Sequence, residues 1–306
     1  MTADLRGQCP AVAEITVYIP AYNVSEFLGR SIEAVLAQTI LPNEILVIDD
    51  GSKDSTAEIA ARYPQVTLVR HAENRGLAAT RNTAFHTARN KLVASVDADC
   101  VPQPTWLASL LSHMNNPGLA GVGGRLIEGV LESVADRWRG AHMPQEWGPE
   151  PMHNPLFLFG ANNLFRKSAV LEAGGYNETM RTNGEDADLC RRLRAQNWEL
   201  AYDPSARVTH LRHDSVRTIL DAYWRWTYFG WPDAVKRTKL HLIVRRTLFG
   251  NVRYMFYNLA KEDFRAGRFE LIGLDFLTLF YFPCREVEMW LNSRDAPAHQ
   301  VHKSER

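Results

Sequence analysis

The segment Val96-Asp97-Ala98-Asp99 holds two carboxylates one residue apart, at the end of the apolar run Leu92-Val93-Ala94-Ser95-Val96. In a strand, side chains return to the same face every second residue, so both carboxylates can reach one divalent cation at the carboxyl edge of a sheet. Oxygen ligands in such a place suit Mg²⁺ or Mn²⁺, which bind jointly to a few carboxylates and a substrate's phosphates. An isolated Asp-x-Asp is more often a solvated Asp-rich turn, so context must decide. A second acidic pair, Glu185-Asp186, opens a segment with Leu189 and Leu193 at helical spacing. An acidic residue in a first helical turn usually caps that helix.

The elements that position these groups are legible in the first hundred residues. Ile15–Ile19, Ile45–Ile48, Val66–Val69 and Leu92–Val96 read as short β-rich runs. Between them, a helix with Leu28, Ile32, Val35 and Leu36 on one face follows Ser25 as its N-cap, and further helices span Asp54–Tyr63 and Leu77–Ala88. This alternation predicts a mostly parallel sheet covered by helices on both faces, with ligands at its carboxyl edge. Tyr22, the pair Asp49-Asp50 and the pair Asp97/Asp99 all fall at that edge. A helix through Trp106, Leu107, Leu110 and Met114 and a strand near 121–127 follow. Residues 140–155, rich in proline, glycine and histidine, read as a mobile loop or lid.

The chain has 306 residues, 45% hydrophobic and 23% charged, with 35 basic and 35 acidic side chains. That balance describes a globular protein and gives no sign of a nucleic-acid partner. Cys9, Cys100, Cys190 and Cys284 are scattered without metal-ligand spacing, which points to a reducing compartment. Residues 1–10 lack the apolar core of a secretory signal, and Glu270 and Asp275 interrupt the apolar stretch 269–284. The expected location is cytoplasmic, with any membrane contact peripheral, on the inner face.

Several blocks in order resemble the family 2 glycosyltransferases of the GT-A fold. They are Ile19-Pro20-Ala21-Tyr22-Asn23, Gln38-Thr39, Ile48-Asp49-Asp50-Gly51-Ser52-Lys53-Asp54, Asn74-Arg75-Gly76 with Arg81-Asn82, and Asp97-Ala98-Asp99. The resemblance continues through Gly160-Ala161-Asn162, Gly174-Gly175-Tyr176 and Gly184-Glu185-Asp186-Ala187-Asp188-Leu189. It implies a GT-A domain over about 14–213, with a nucleotide-binding half near 14–127 and an acceptor half near 156–213. This domain follows a tail of residues 1–13 and precedes a helical accessory region over 214–306.

By that resemblance the chain is an inverting transferase using a nucleotide-diphospho-sugar, uridine favoured, and a glycan or lipid-linked acceptor. Pro20 and Tyr22 would pack at the base and Asp50 would accept from uracil N3–H. Arg75 and Arg81 would meet diphosphate or ribose, with Asp97 near the ribose. Asp99, with His210 as a further candidate, would hold Mn²⁺ or Mg²⁺. Asp186 would be the base, its place in a first helical turn favouring the ionised form. Asn162, Glu185 and Trp224 would line the acceptor or sugar pocket.

Other readings stay open. Asp97-Ala98-Asp99-Cys100-Val101 also fits the nucleophile motif of haloacid-dehalogenase-like phosphatases, although that motif usually follows a first strand. A non-catalytic glycan-binding scaffold would not need both carboxylate sites. Trp224-Arg225-Trp226 is similar to the Gln-x-x-Arg-Trp signature of processive polysaccharide synthases, but Ala222 replaces the glutamine. The aromatic run 223–231 reads by default as core packing. The cations Lys236, Arg237, Lys239, Arg245 and Arg246, followed by Phe249, Tyr254 and Phe256, leave open an amphipathic element at a membrane surface.

Overall fold

A computed structural model describes residues 11–180, 183–229 and 245–295. Two compact units are present, one formed by the chain up to Val130 together with Pro144–Arg212, the other by Leu131–Met143 together with the chain from His213 onward.

The first unit is built on one mixed sheet. Its strands are β1 (Ala11–Ala21), β2 (Ile40–Asp49), β3 (Val66–Arg70), β4 (Leu92–Val96), β5 (Cys100–Pro102), β6 (Leu119–Glu128), β7 (Met152–His153), β8 (Asn162–Arg166) and β9 (Glu199–His210). The order is β3-β2-β1-β4-β8-β6-β9-β5, with β7 attached to β9. The pairings among β3, β2, β1 and β4 are parallel, whereas β8 runs antiparallel to both β4 and β6.

Strands buried on both faces need apolar residues in continuous runs, and alternate residues then feed two separate layers. Ile15, Val17 and Ile19 of β1, with Ile45 and Val47 of β2, enter one core, which also takes Leu28, Ile32 and Val35 of α1 (Leu28–Leu36). Tyr18, Leu46 and Ile48 point the other way, toward Phe85 of α3 (Leu77–Thr87) and Leu189 and Leu193 of a helix over Glu185–Ala195. Pro20 has no N–H for a ladder, and it sits beyond the last β1–β4 partner pair, Tyr18 with Ser95.

Two local expectations are corrected. Ser25 does not cap α1; its N–H donates to Asp54 Oδ2 (3.1 Å), and the N–H groups of Phe27 and Leu28 instead bond the Val24 carbonyl. The helix expected over Asp54–Tyr63 is only Thr56–Ala60.

Residues 144–155 are anchored rather than free. Trp147 Nε1 donates to the Phe157 carbonyl (2.8 Å) and its ring packs on Phe157 and Phe159, while Tyr202 Oη donates to the Gly148 carbonyl (2.9 Å). Aromatic anchoring outweighs the loop-like composition there.

The second unit is helical. A helix over Val134–His142, another over Val216–Phe229, mixed π and α turns from Arg246 to Arg265, and a long helix over Ile272–Asp295 share a core of Trp138, Ile219, Tyr223, Trp224, Leu259 and Leu274, among others. Two buried acids within it have polar partners. Asp263 accepts from Arg268 Nε (2.7 Å) and lies 2.9 Å from His142 Nε2, and Asp275 accepts from Trp138 Nε1 (2.8 Å). Among the described residues no helix is long and apolar enough to cross a membrane.

Candidate active site

The Asp-x-Asp pair stands in a tight turn between β4 and β5, rather than on a strand. The N–H of Cys100 donates to the Asp97 carbonyl (3.0 Å) and closes that turn. Asp99 Oδ2 then lies 3.2 Å from His210 Nε2, and His210 Nδ1 lies 3.1 Å from Glu128 Oε2. Strand pairing accounts for the meeting, because His210 is the cross-strand partner of both Cys100 and Glu128.

Burial alone would lower the His210 pKa, but its hydrogen bonds to the Asp99 and Glu128 carboxylates raise it to about 9. Burial likewise works to raise Asp99, yet the His210 hydrogen bond and charge, with Arg212's charge, hold it below the usual range. Asp97 goes up, through burial and against the pull of Arg81. Two adjacent ligands of one octahedral cation, each about 2.1 Å from it, stand roughly 3 Å apart. The Asp99–His210 spacing is that of an ion pair with the imidazole protonated, and it matches two adjacent ligands once a cation displaces the Nε2 proton, with Glu128 orienting the imidazole from behind.

Arg81 connects this turn to the second acidic pair. It lies on α3 with 1% exposure. Its Nη1 donates to Ser95 Oγ (2.8 Å), the Gly160 carbonyl (2.9 Å) and Tyr18 Oη (3.2 Å), and its Nη2 donates to Asp97 Oδ1 (3.2 Å). Its Nε faces Glu185 Oε1 at 3.5 Å. The Gly160 N–H in turn donates to Asp186 Oδ2 (3.2 Å), and the Ala187 N–H to Asp186 Oδ1 (2.7 Å). One guanidinium and one glycine thus hold the two carboxylate groups in a single network.

The helix over Glu185–Ala195 begins after Gly184, whose φ of 87° is a left-handed conformation suited to glycine. Burial and the adjacent Asp186 charge raise Glu185 to about 7. Asp186 is also raised, by burial, against the opposing effects of Arg81 and the two backbone N–H groups. The expectation that its place in a first helical turn favours the ionised form is corrected, because burial outweighs the helix end and raises its pKa.

At the ends of β1 and β2, Tyr22 is exposed and Pro20 buried. Asp50 accepts from the N–H groups of Arg75 (2.9 Å) and Gly76 (2.8 Å) and lies 2.6 Å from His71 Nδ1. Its two oxygens therefore clamp the 71–76 loop. Asp49 Oδ1 accepts from the Ser52 N–H (3.0 Å). Its Oδ2 lies 2.9 Å from Arg70 Nε, but without hydrogen-bond alignment, so that buried oxygen retains accepting capacity. The Arg75 side chain is half exposed and 3.3 Å from Glu178 Oε2.

The model of the family described as "Glycosyl transferase family 2" matches residues 16–176, more than half of the chain. The chain belongs to glycosyl transferase family 2. A pre-mycofactocin glycosyltransferase of Mycobacterium tuberculosis is 31% identical over 216 residues, covering 68% of this chain and 45% of the relative, so the match spans less than half of that protein. A glucosyl-dolichyl phosphate glucuronosyltransferase of Haloferax volcanii is 26% identical over 253 residues, 73% of this chain and 76% of its own. Among solved structures, the mannosyltransferase PcManGT of Pyrobaculum calidifontis in complex with GDP-Man and Mn²⁺ superposes with a TM-score of 0.60 at 15% identity, over 90% of this chain and 87% of that one. That likeness shows the GT-A fold.

Within this family 2 chain, four expected site residues have other work. Asp50, expected at uracil N3–H, has both oxygens on the 71–76 loop. Arg81, expected at diphosphate or ribose, is buried with both terminal nitrogens hydrogen-bonded within the protein, and its Nε faces Glu185 without a hydrogen bond. Asn162, expected in a sugar pocket, is fully buried: it accepts from Trp106 Nε1 (2.7 Å) and donates to the carbonyls of Ala206 (2.8 Å) and Arg125 (3.1 Å). Trp224 is a core residue of the second unit, stacked on Tyr228 (centroids 5.0 Å apart) with the Arg285 guanidinium over its ring, so it offers no face to a sugar. Tyr223 and Tyr228 are buried beside it, while Gly230, Trp231, Lys236, Arg237 and Lys239 lie outside the described residues. Sequence reasoning missed Glu128, and it quoted Gly160 only as part of a motif, without a role in the site. Glu128 ends an apolar run at the carboxyl edge, the one signal that could have drawn attention to it.

Proposed function

We propose that this protein is a metal-dependent inverting glycosyltransferase, moving a sugar from a nucleotide-diphospho-sugar to a hydroxyl of a glycan or lipid-linked acceptor. The observation that carries this reading is the Arg81–Gly160 bridge, which holds the Asp97/Asp99 turn and the Glu185-Asp186 pair in one network. A pure sugar binder has no need of a base beside a cation site, and an Asp97 nucleophile would leave the second pair without a role.

Asp99 and His210 would hold the divalent cation, Mn²⁺ or Mg²⁺, with Glu128 fixing the imidazole. When bound, the cation stabilises the charge that develops on the departing nucleoside diphosphate. Tyr22, exposed at the end of β1, offers the base an aromatic surface, while Asp49 is fully buried and both Asp50 oxygens serve the 71–76 loop, so the preference for a uridine donor rests on the family resemblance. Asp186, desolvated and therefore more basic, accepts the acceptor hydroxyl's proton as that oxygen attacks the anomeric carbon. Glu185, raised to about 7, can stay protonated beside it, so the pair avoids two adjacent buried negative charges. The named relatives, one acting on a lipid-linked sugar and one solved with GDP-Man and Mn²⁺, support the substrate class. Free thiols at Cys100, Cys190 and Cys284 support a cytoplasmic location.

The test is Asp186→Asn. Donor binding, measured by calorimetry with Mn²⁺, should persist while turnover falls by on the order of 10²–10⁴. Unchanged turnover would remove Asp186 from the mechanism.

A further inference from the structure

The second unit carries aromatic side chains where a water-facing surface would carry polar ones. In the turns from Arg246 to Arg265, Met255, Leu259 and Asp263 recur every fourth residue and are buried. Phe249, Phe256, Tyr257 and Phe264 stand off that stripe and are 48–73% exposed. The helix over Ile272–Asp295 repeats the pattern. Leu274, Thr278 and Phe282 are buried, and Phe276 and Phe280 are exposed.

Four of these exposed rings, Phe249, Phe256, Tyr257 and Phe276, adjoin. Phe249, Val252, Arg253, Phe256 and Tyr257 line one open groove, and the Phe256 and Phe276 rings meet edge-on at 5.7 Å. Single exposed apolar residues are ordinary, but a contiguous patch built largely of aromatics marks a contact surface.

Charge identifies the partner. Arg253 and Lys261 lie 6.0 and 5.5 Å from the Tyr257 ring, placing cations within the patch. Residues 245–280 contain six Arg and Lys against four Asp and Glu, and two of those four acids, Asp263 and Asp275, are fully buried. In a two-fold dimer formed through this patch, equivalent cations would be brought together and would repel. An anionic lipid surface meets both components: rings enter the boundary between headgroups and acyl chains, and cations meet the phosphates. We propose that this aromatic and cationic face of the second unit binds the surface of an anionic phospholipid bilayer, peripherally and without spanning it.

The experiment is co-sedimentation of the full chain with phosphatidylcholine vesicles, with and without phosphatidylglycerol, and with no sugar donor present. A failure here therefore leaves the transferase reading intact. The wild type should sediment with the anionic vesicles only, and less so at high salt. The variant Phe249→Ser/Tyr257→Ser/Phe280→Ser should bind at least roughly tenfold more weakly. Arg253→Glu/Lys261→Glu, which alters exposed positions and guards against misfolding of the first variant, should also lose roughly tenfold. Absence of wild-type binding to either vesicle, or full binding by both variants, would overturn the proposal. So would a wild-type dimer in analytical ultracentrifugation that the serine variant converts to monomer, because the face would then belong to a second copy.

Discussion

The Gly160 carbonyl accepts from Arg81 Nη1 at 2.9 Å, and a Cβ added at Gly160 would fall 2.4 Å from Arg81 Nη2. Glycine is required there because a buried guanidinium passes directly over the backbone. That guanidinium also holds Asp97, while the Gly160 N–H holds Asp186.

Gly160→Ala should therefore displace Arg81 and loosen both carboxylate groups together. Overpacking a close contact costs about 1–3 kcal/mol, to be read from thermal or urea denaturation. Turnover should fall roughly 10–100-fold from misplacement of reacting groups. A variant with native stability and native turnover would show that the contact is incidental.

Glu128→Gln should weaken cation binding without removing a ligand. His210 would lose the charge behind its Nδ1, and outer-sphere changes of this kind lower metal affinity on the order of 10–100-fold. Calorimetric titration with Mn²⁺ in the presence of a nucleoside diphosphate checks this. Asp99→Ala should abolish the same signal.

Stability should depend on pH through Glu185. Its folded pKa is raised from 4.5 to about 7, so folding favours the protonated form. That contribution is complete below pH 4.5 and is lost as pH rises through 7, a difference on the order of 3 kcal/mol. Glu185→Gln, neutral throughout, should flatten that part of the denaturation profile. An unaltered slope between pH 5 and pH 8 would locate the titration elsewhere.

The first half of the fold was readable because β1 to β4 carry apolar runs and the helix after β1 has a clear apolar face, and periodicity reports such geometry directly. Asp97 and Asp99 could be singled out because they follow the end of β4, whereas Asp186 stood out only through the family resemblance, since an acid in a first helical turn otherwise reads as a cap. Arg81 could not be judged from its neighbours. Thr80 and Asn82 give the helix a polar look, and only the folded arrangement of Ser95, Gly160 and Tyr18 reveals a buried cation. The same limit applies to Asn162, whose three partners come from three distant segments. The engagement of Asp50 by the 71–76 loop is another long-range event that local turn chemistry does not encode. The fold of the second unit was legible only as helical, since Trp224 and Phe249 look alike in sequence and differ entirely in burial.

Glu128 and His210 face each other as partners in the parallel pairing of β6 with β9. Their approach is thus set by backbone alignment before any rotamer is chosen, and deleting a single residue within either strand would turn one of them to the opposite side of the sheet. Loop grafting to vary substrate preference should therefore be tolerated between these strands, while length changes inside them would silence the enzyme even with every functional side chain retained.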